Sequence, residues 1–99
     1  GFEYLRRALE RRFGKSLDAI VADVLLGPLA LDDTHFVWDE ARDAGRFAGA
    51  YDAEAAPYSL VPRRSALASD DLLTTIDDYA AFAAALLRGA LLSPRMMAE

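Results

Sequence analysis

Two amphipathic stretches, residues 2–13 and 17–26, constrain the fold of this chain more than any other feature of its sequence. Apolar residues recur in each stretch at the spacing of one helix face: Phe2, Leu5, Leu9 and Phe13 in the first, and Leu17, Ile20, Val21, Val24 and Leu25 in the second. Gly14 suits the left-handed conformation that ends many helices, and Ser16 suits the N-cap of the next helix. The sequence therefore predicts a helix–turn–helix pair that stops at Gly27.

Opposite charges four residues apart lie along the first helix, where they pair Glu3 with Arg7 and Arg6 with Glu10. Such pairs stabilise a helix face in contact with water, so we expect this face to be solvated. The arginines could instead form an anion-binding patch, but their alternation with glutamates favours the solvated face.

A third helix, over residues 76–88, is predicted by the signals at its two ends. Thr75 precedes Asp78 by three residues, which resembles a capping box, and Gly89 follows the last turn. The inward face of this helix would consist of Ile76, Tyr79, Phe82, Ala83, Leu86 and Leu87.

The remainder of the chain has less periodicity. Residues 32–65 are rich in turn formers and predict a long irregular connection, in which 35–38 could form a short extended piece. Near the end of the chain, Ser93 and Pro94 are typical of the cap and first position of a truncated last helix, with Met96–Met97 as core contacts. These elements together predict a mainly α fold.

The composition agrees with a helical fold, because the chain has 20 alanines and 15 leucines but only four valines. The lack of cysteine excludes disulfides and thiolate metal sites and leaves the cellular compartment undecided. A net charge of −5 argues against a nucleic-acid partner. No apolar run approaches the roughly 20 residues that a membrane-spanning helix needs.

Catalytic motifs are not found in the sequence. The one lysine, Lys15, precedes Ser16, so no serine is followed by a lysine one helical turn later. There is no nucleophile elbow, phosphate loop, zinc-protease motif or dinucleotide fingerprint. His35 is the one histidine; it could act as a base oriented by Asp32 or Asp33, but we favour a structural turn histidine beside a packed aromatic residue.

Adjacent carboxylates occur at Asp32–Asp33 and Asp70–Asp71, where they could bind a cation or form an acid–base pair. Paired acids are common at turns and before helices, so we favour a structural role. The dipeptide Tyr58–Ser59 resembles a catalytic tyrosine–serine pair but has no base or amide nearby in the sequence. We therefore assign no catalytic residue and no metal ligand to this chain.

Several segments, in the same order along the chain, carry a resemblance to one family. They are residues 1–5 (GFEYL), 13–17 (FGKSL), 28–36 (PLALDDTHF), 46–51 (RFAGAY), 72–75 (LLTT), 78–82 (DYAAF) and 86–89 (LLRG). In this order and spacing they resemble the β-lactamase-related serine hydrolases, a family that includes class C β-lactamases, penicillin-binding DD-peptidases and esterases. The chain is similar to an internal piece of the helical region of that larger α+β fold.

The resemblance implies an acyl-serine mechanism in the parent protein, with β-lactams, D-Ala peptides or esters as substrates and with no metal or organic cofactor. The serine and lysine and the tyrosine motif of the family would precede Gly1, and its Lys/His-x-Gly strand would follow Glu99. Residues 1–99 would thus be a single helical subdomain, inactive alone, whose partners are the remainder of the parent and a small-molecule substrate.

The same resemblance points to a stretch that would line the substrate cleft: Ala68, Ser69, Asp70 and Asp71. Asp70–Asp71 stands where the family usually has Gly-Gly, and two carboxylates there would disfavour anionic substrates. Ala30 also replaces a usual glycine, a change that is tolerable if the backbone stays in an ordinary region.

The alternative from a different functional class is a non-catalytic helical module that binds other proteins. Such a module would have a complete core of its own. A segment of a larger hydrolase would instead expose leucines and aromatic residues where the missing parts dock, and could self-associate when isolated.

Overall fold

A computed structural model of the chain describes residues 1–59 and 65–99 and is mainly helical. Its elements are helices α1 (Phe2–Phe13) and α2 (Leu17–Val21), a π-helical turn (Ala22–Leu26), helix α3 (Glu40–Asp43), strands β1 (Ala50–Tyr51) and β2 (Pro57–Tyr58), and helices α4 (Ile76–Leu87) and α5 (Pro94–Ala98). The predicted fold class is confirmed. Positions 60–64 of the predicted irregular connection lie outside the described residues.

The helix–turn–helix pair forms where the sequence predicts it. Gly14 has φ of 68°, and its N–H donates to the carbonyl oxygen of Glu10 at 2.9 Å. Ser16 occupies the predicted N-cap position of the second helix, but its side chain makes no cap bond; the carboxylate of Glu10 accepts from the N–H of Leu17 at 2.9 Å instead. A longer acidic side chain from the preceding helix therefore replaces the local hydroxyl cap.

The second half of this pair is wider than an α-helix. The N–H of Gly27 donates to the carbonyl of Ala22 at 2.8 Å, five residues earlier, as in a π-helix. A Cβ at Gly27 would lie 3.0 Å from that carbonyl oxygen, so glycine allows the turn to close. The backbone then turns at Ala30, whose φ is 53°. The condition under which alanine is easily tolerated at this position, an ordinary backbone conformation, is therefore not met.

Helix α1 is oriented opposite to the prediction. The expected solvated pair of Glu3 with Arg7 does not form: Arg6 bonds both Glu3 at 2.7 Å and Glu10 at 2.9 Å, and these three side chains face the rest of the chain. The apolar stripe is exposed instead except at Leu9, which is half-buried, and Phe2 is 69% accessible. Arg7 and the arginines of the last turn remain exposed, as predicted for a solvated face.

Helix α4 begins as predicted, since the hydroxyl of Thr75 accepts from the N–H of Asp78 at 3.2 Å. Gly89, with φ of 72°, follows its end. The predicted inward face is wrong in part: Ile76 is 80% and Leu87 86% accessible, whereas Ala85 is completely buried. The inward face centres on Ala85, with Phe82 and Ala83 half-buried beside it, and the large residues at both ends of α4 are uncovered.

The last helix, α5, has the predicted cap, in which Ser93 accepts from the N–H of Met96 at 3.3 Å. Both methionines, Met96 and Met97, are exposed, so their assignment to the core is wrong. Within the residues that the structure describes, no helix is long and apolar enough to cross a membrane.

The connection predicted as irregular contains short elements that sequence periodicity does not show. Strands β1 and β2 pair antiparallel, with Ala50 opposite Tyr58, around a turn in which Asp52 accepts from two backbone N–H groups. His35 forms an isolated bridge with Leu73 through backbone bonds of 3.0 and 2.8 Å, consistent with the predicted extended piece. This bridge brings the start of the connection beside the approach to α4.

The core within the described residues is small. Its buried apolar members are Leu17, Ile20, Leu31, Ala66 and Ala85, and none of the large described side chains is completely buried. Long apolar side chains on α1, α4 and α5 face solvent instead. Exposed apolar side chains in this number are typical of faces that pack against another surface.

Candidate functional site

The four residues predicted to line a cleft form one tight loop ahead of α4. Ala66, just before them, is buried and anchors the loop, and the N–H of Leu67 donates to the carboxylate of Asp71 at 2.8 Å. Asp71 is thereby turned back toward its own loop, whereas Ser69 and Asp70 are exposed. Of the two predicted carboxylates, Asp70 is the one at the accessible tip.

Glu3 of α1 holds this loop from the other side. One carboxylate oxygen, Oε1, accepts from the N–H of Ala68 at 2.5 Å, and the other, Oε2, accepts from Nε of Arg6 at 2.7 Å. The hydrogen bond from Arg6, followed by that from Ala68, lowers the pKa of Glu3. Sequence reasoning assigned Glu3 to the solvated face and missed this role, because the partner lies 65 residues away.

Arg6 is the centre of a three-residue ion network along α1. Its guanidinium bonds Glu3 with Nε and Glu10 with Nη1, and Glu10 in turn accepts from the N–H of Leu17. The hydrogen bond to Glu3 raises the pKa of Arg6, with burial acting in the opposite direction. The network connects the candidate loop to the start of α2 through a single helix.

His35 pairs with Asp43, not with either of the aspartates that the sequence suggested. Its Nε2 lies 3.0 Å from the Asp43 carboxylate, and its Nδ1 is buried and has no hydrogen-bond partner among residues 1–59 and 65–99. Neither ring nitrogen is therefore open to a substrate. The arrangement supports the structural interpretation of His35 over the catalytic one.

Asp43 is buried at the end of α3 and collects several donors. Its carboxylate accepts from Nε of Arg42 at 3.0 Å, from the N–H of Asp39 at 2.8 Å and from His35. Burial raises the pKa of Asp43, but these hydrogen bonds and the nearby charges outweigh it and hold the value at about 2. A cavity of about 340 Å³ adjoins this group and is also lined by Asp33 and Arg46.

In the acidic pair Asp32–Asp33, Asp33 has a structural role. Asp33 bonds Arg46 at 2.7 Å, which lowers the pKa of Asp33, while Asp32 is exposed. The backbone N–H of Asp33 and the hydroxyl of Thr34 both donate to the carboxylate of Asp78. Among the residues that the structure describes, no group of three or more histidine, cysteine or acidic side chains is arranged to hold a metal ion.

The tyrosine–serine pair lies at the end of β2, and both Tyr58 and Ser59 are exposed. Neither side chain is hydrogen-bonded to Lys15, whose ammonium pairs with Asp23, or to His35. The part of the chain that the structure describes therefore brings no base to this pair.

Comparison with known proteins adds one finding to this geometry. The family model described as Beta-lactamase matches residues 1–99, the whole chain. The chain matches no curated protein and no solved structure.

Proposed function

Because the chain belongs to the Beta-lactamase family, we propose that it is part of a serine hydrolase that acts through an acyl-serine intermediate on β-lactams, D-Ala peptides or esters. The match of the family model to the entire chain is the observation that carries this proposal. The catalytic serine, lysine and tyrosine are supplied by parts of the parent protein other than these 99 residues.

The chemistry of the described residues favours a structural role for this segment over a catalytic one. Within residues 1–59 and 65–99, no serine hydroxyl is hydrogen-bonded to Lys15 or to His35, the side chains that could remove its proton. A serine without a base at hydrogen-bond distance is a weak nucleophile near neutral pH. The segment would contribute packing and one wall of the cleft.

The wall would be the loop of Ala68, Ser69, Asp70 and Asp71. Its tip presents the exposed carboxylate of Asp70, and the nearby Asp71 is engaged with Leu67. A negative charge beside a cleft lowers the local concentration of anions. Of the three proposed substrate classes, the loop therefore favours neutral or cationic esters over β-lactams and D-Ala peptides, which carry carboxylates.

The rival function, a free-standing interaction module, calls for a complete core. The exposure of Phe2 on α1 and of Ile76 and Leu87 on α4 favours a segment that packs into a larger hydrolase. Isolated from that parent, the chain would cover these faces by self-association.

The test uses the full-length protein that contains these residues. We expect it to hydrolyse 4-nitrophenyl acetate or a chromogenic β-lactam and to show the mass of an acyl adduct on one serine after quenching. The chain of residues 1–99 alone is the control and should show no turnover. The proposal fails if the full-length protein forms no adduct, or if the isolated chain turns over substrate and Ser69→Ala abolishes it.

A further inference from the structure

We infer that Glu3 is a positioning residue for the loop of Ala68, Ser69, Asp70 and Asp71, and that it thereby sets how the hydrolase discriminates between neutral and anionic substrates. This inference rests on the proposed function, since it needs the loop to face the substrate. Glu3 does not touch the reacting atoms; it acts through the backbone of Ala68.

The hydrogen bond between Glu3 and Ala68 is built to be rigid. The ionised carboxylate of Glu3 accepts from the backbone N–H of Ala68, and such a charge-assisted bond is stronger than a bond between neutral groups. The other carboxylate oxygen is held by Arg6, and Arg6 is itself held by Glu10 at its far end. With both oxygens engaged, the carboxylate of Glu3 cannot rotate away without breaking an ion pair.

The loop is fixed at two consecutive N–H groups. The N–H of Leu67 is bonded by Asp71 from within the loop, and the N–H of Ala68 is bonded by Glu3 from α1. Ser69 and Asp70 follow directly and are exposed. The position of the Asp70 carboxylate therefore depends on the anchor that Glu3 provides.

The negative charge of Asp70 should repel an anionic substrate more strongly than the negative charge of Glu3 does. Glu3 is neutralised by Arg6 at 2.7 Å, and its lowered pKa keeps it ionised and bonded through the neutral range. Asp70 has an exposed side chain at the tip of the loop. Loss of the anchor should thus weaken discrimination because the Asp70 charge is no longer held in place.

The experiment compares Glu3→Gln with Glu10→Gln in the full-length protein. Both variants replace one carboxylate partner of Arg6 on the same helix, but only the first replaces the charged acceptor of the Ala68 N–H with a neutral amide oxygen, which accepts a weaker hydrogen bond. The readout is the ratio of kcat/KM for 4-nitrophenyl acetate to that for mono-4-nitrophenyl succinate, an ester that carries a carboxylate. Hydrogen exchange of the 66–71 segment is measured in parallel.

We expect Glu3→Gln to lower the ratio about threefold or more and to speed exchange in the loop, and Glu10→Gln to leave both unchanged. Glu3→Asp should behave like Glu3→Gln, because it keeps the charge but is one methylene too short to reach Ala68. This second variant separates the bond to Ala68 from the charge of Glu3.

Two results would overturn the inference and leave the proposed function standing. One is that Asp70→Gly changes the ratio but both Glu3 variants leave it unaltered. The other is that Glu10→Gln lowers the ratio of kcat/KM values as much as Glu3→Gln does. The effect would then come from a general loss of stability in α1 and not from the bond to Ala68. If Asp70→Gly also leaves the ratio unaltered while the protein still forms an acyl-serine, the inference and the cleft role of the loop are both wrong.

Discussion

The carboxylate of Asp78, in the first turn of α4, accepts a hydrogen bond from the hydroxyl of Thr34 at 2.7 Å, across 44 residues of sequence. The same oxygen accepts from the N–H of Asp33 at 2.9 Å. Thr34 is buried and also meets the hydroxyl of Thr74 at 2.8 Å. Asp78 therefore joins the turn that follows the helix–turn–helix pair to the start of α4.

Replacing Asp78 should destabilise the protein because it removes the acceptor that the Asp33 N–H and the Thr34 hydroxyl share. We expect Asp78→Ala to lower the free energy of unfolding by about 1–3 kcal/mol, measured by urea denaturation of the full-length protein. Asp77→Ala is the matched control: it lies in the same first turn of α4 but is exposed, and should cost less than about 0.5 kcal/mol. Equal losses from the two variants would show that the effect comes from the helix dipole alone.

Ala30→Gly should stabilise the protein. Ala30 has φ of 53°, a left-handed conformation that costs a residue with a Cβ about 1–2 kcal/mol and costs glycine almost nothing. We expect a gain of about 1 kcal/mol in thermal or urea unfolding after the greater freedom of glycine in the unfolded chain is included.

The control for this change is Ala81→Gly, at an exposed position within α4, which should lose about 0.5–1 kcal/mol. The opposite signs of the two changes make the test independent of any general effect of glycine. A loss of stability with Ala30→Gly would contradict the left-handed conformation of Ala30.

Acid should remove the contribution of Asp43 to stability. The pKa of Asp43 in the folded protein is about 2, below its ordinary value of 3.8, so its ionised form is favoured by folding. The contribution is complete above pH 3.8 and is lost as the pH falls through that value toward 2. The physical cause is that protonation takes away the acceptor of Arg42, Asp39 and His35.

The measurement is the difference in free energy of unfolding between the wild-type protein and Asp43→Asn, at pH 6 and at pH 2.5. We expect a difference of about 1–2 kcal/mol at pH 6 that shrinks clearly at pH 2.5. A difference that stays constant over this range would mean that Asp43 makes no charge-dependent contribution.

Local signals allowed the helix ends to be predicted from sequence. Gly14 and Thr75 act on backbone groups within one turn, so their effect does not depend on the rest of the fold. The orientation of α1 could not be predicted in this way, because Glu3 is directed inward by Ala68, a partner far along the chain. Amphipathic spacing identifies two faces of a helix but not which of them this chain covers.

For the candidate site, too, the sequence indicates which residues are involved but not which partners they have in the fold. The resemblance predicts that the loop of Asp70 and Asp71 lies beside a cleft, but the sequence does not distinguish the two carboxylates. The structure distinguishes them, since Asp71 bonds Leu67 and Asp70 is exposed. His35 was likewise paired with near neighbours in sequence, whereas Asp43 reaches it from the short helix α3, which has too few residues to show a period.

The exposed end of α4 separates the two functional hypotheses through one substitution, Leu87→Lys. Leu87 is 86% accessible in this segment and lies in the last turn of the helix, where a lysine interacts favourably with the helix dipole. In a free-standing module the change should therefore be neutral or slightly stabilising. In a hydrolase whose remaining parts cover this face, it buries a charge and removes an apolar contact, which should cost about 2–5 kcal/mol.

We expect the larger cost in the full-length protein, measured as a loss of thermal stability, together with weaker self-association of the isolated 99-residue chain in sedimentation. Ala84→Lys, which adds the same charge at an exposed small residue of α4, is the control for the charge itself. A full-length Leu87→Lys protein as stable as the wild type would show that the apolar end of α4 faces water there too. The proposal that this segment packs into a larger enzyme through that face would then be withdrawn.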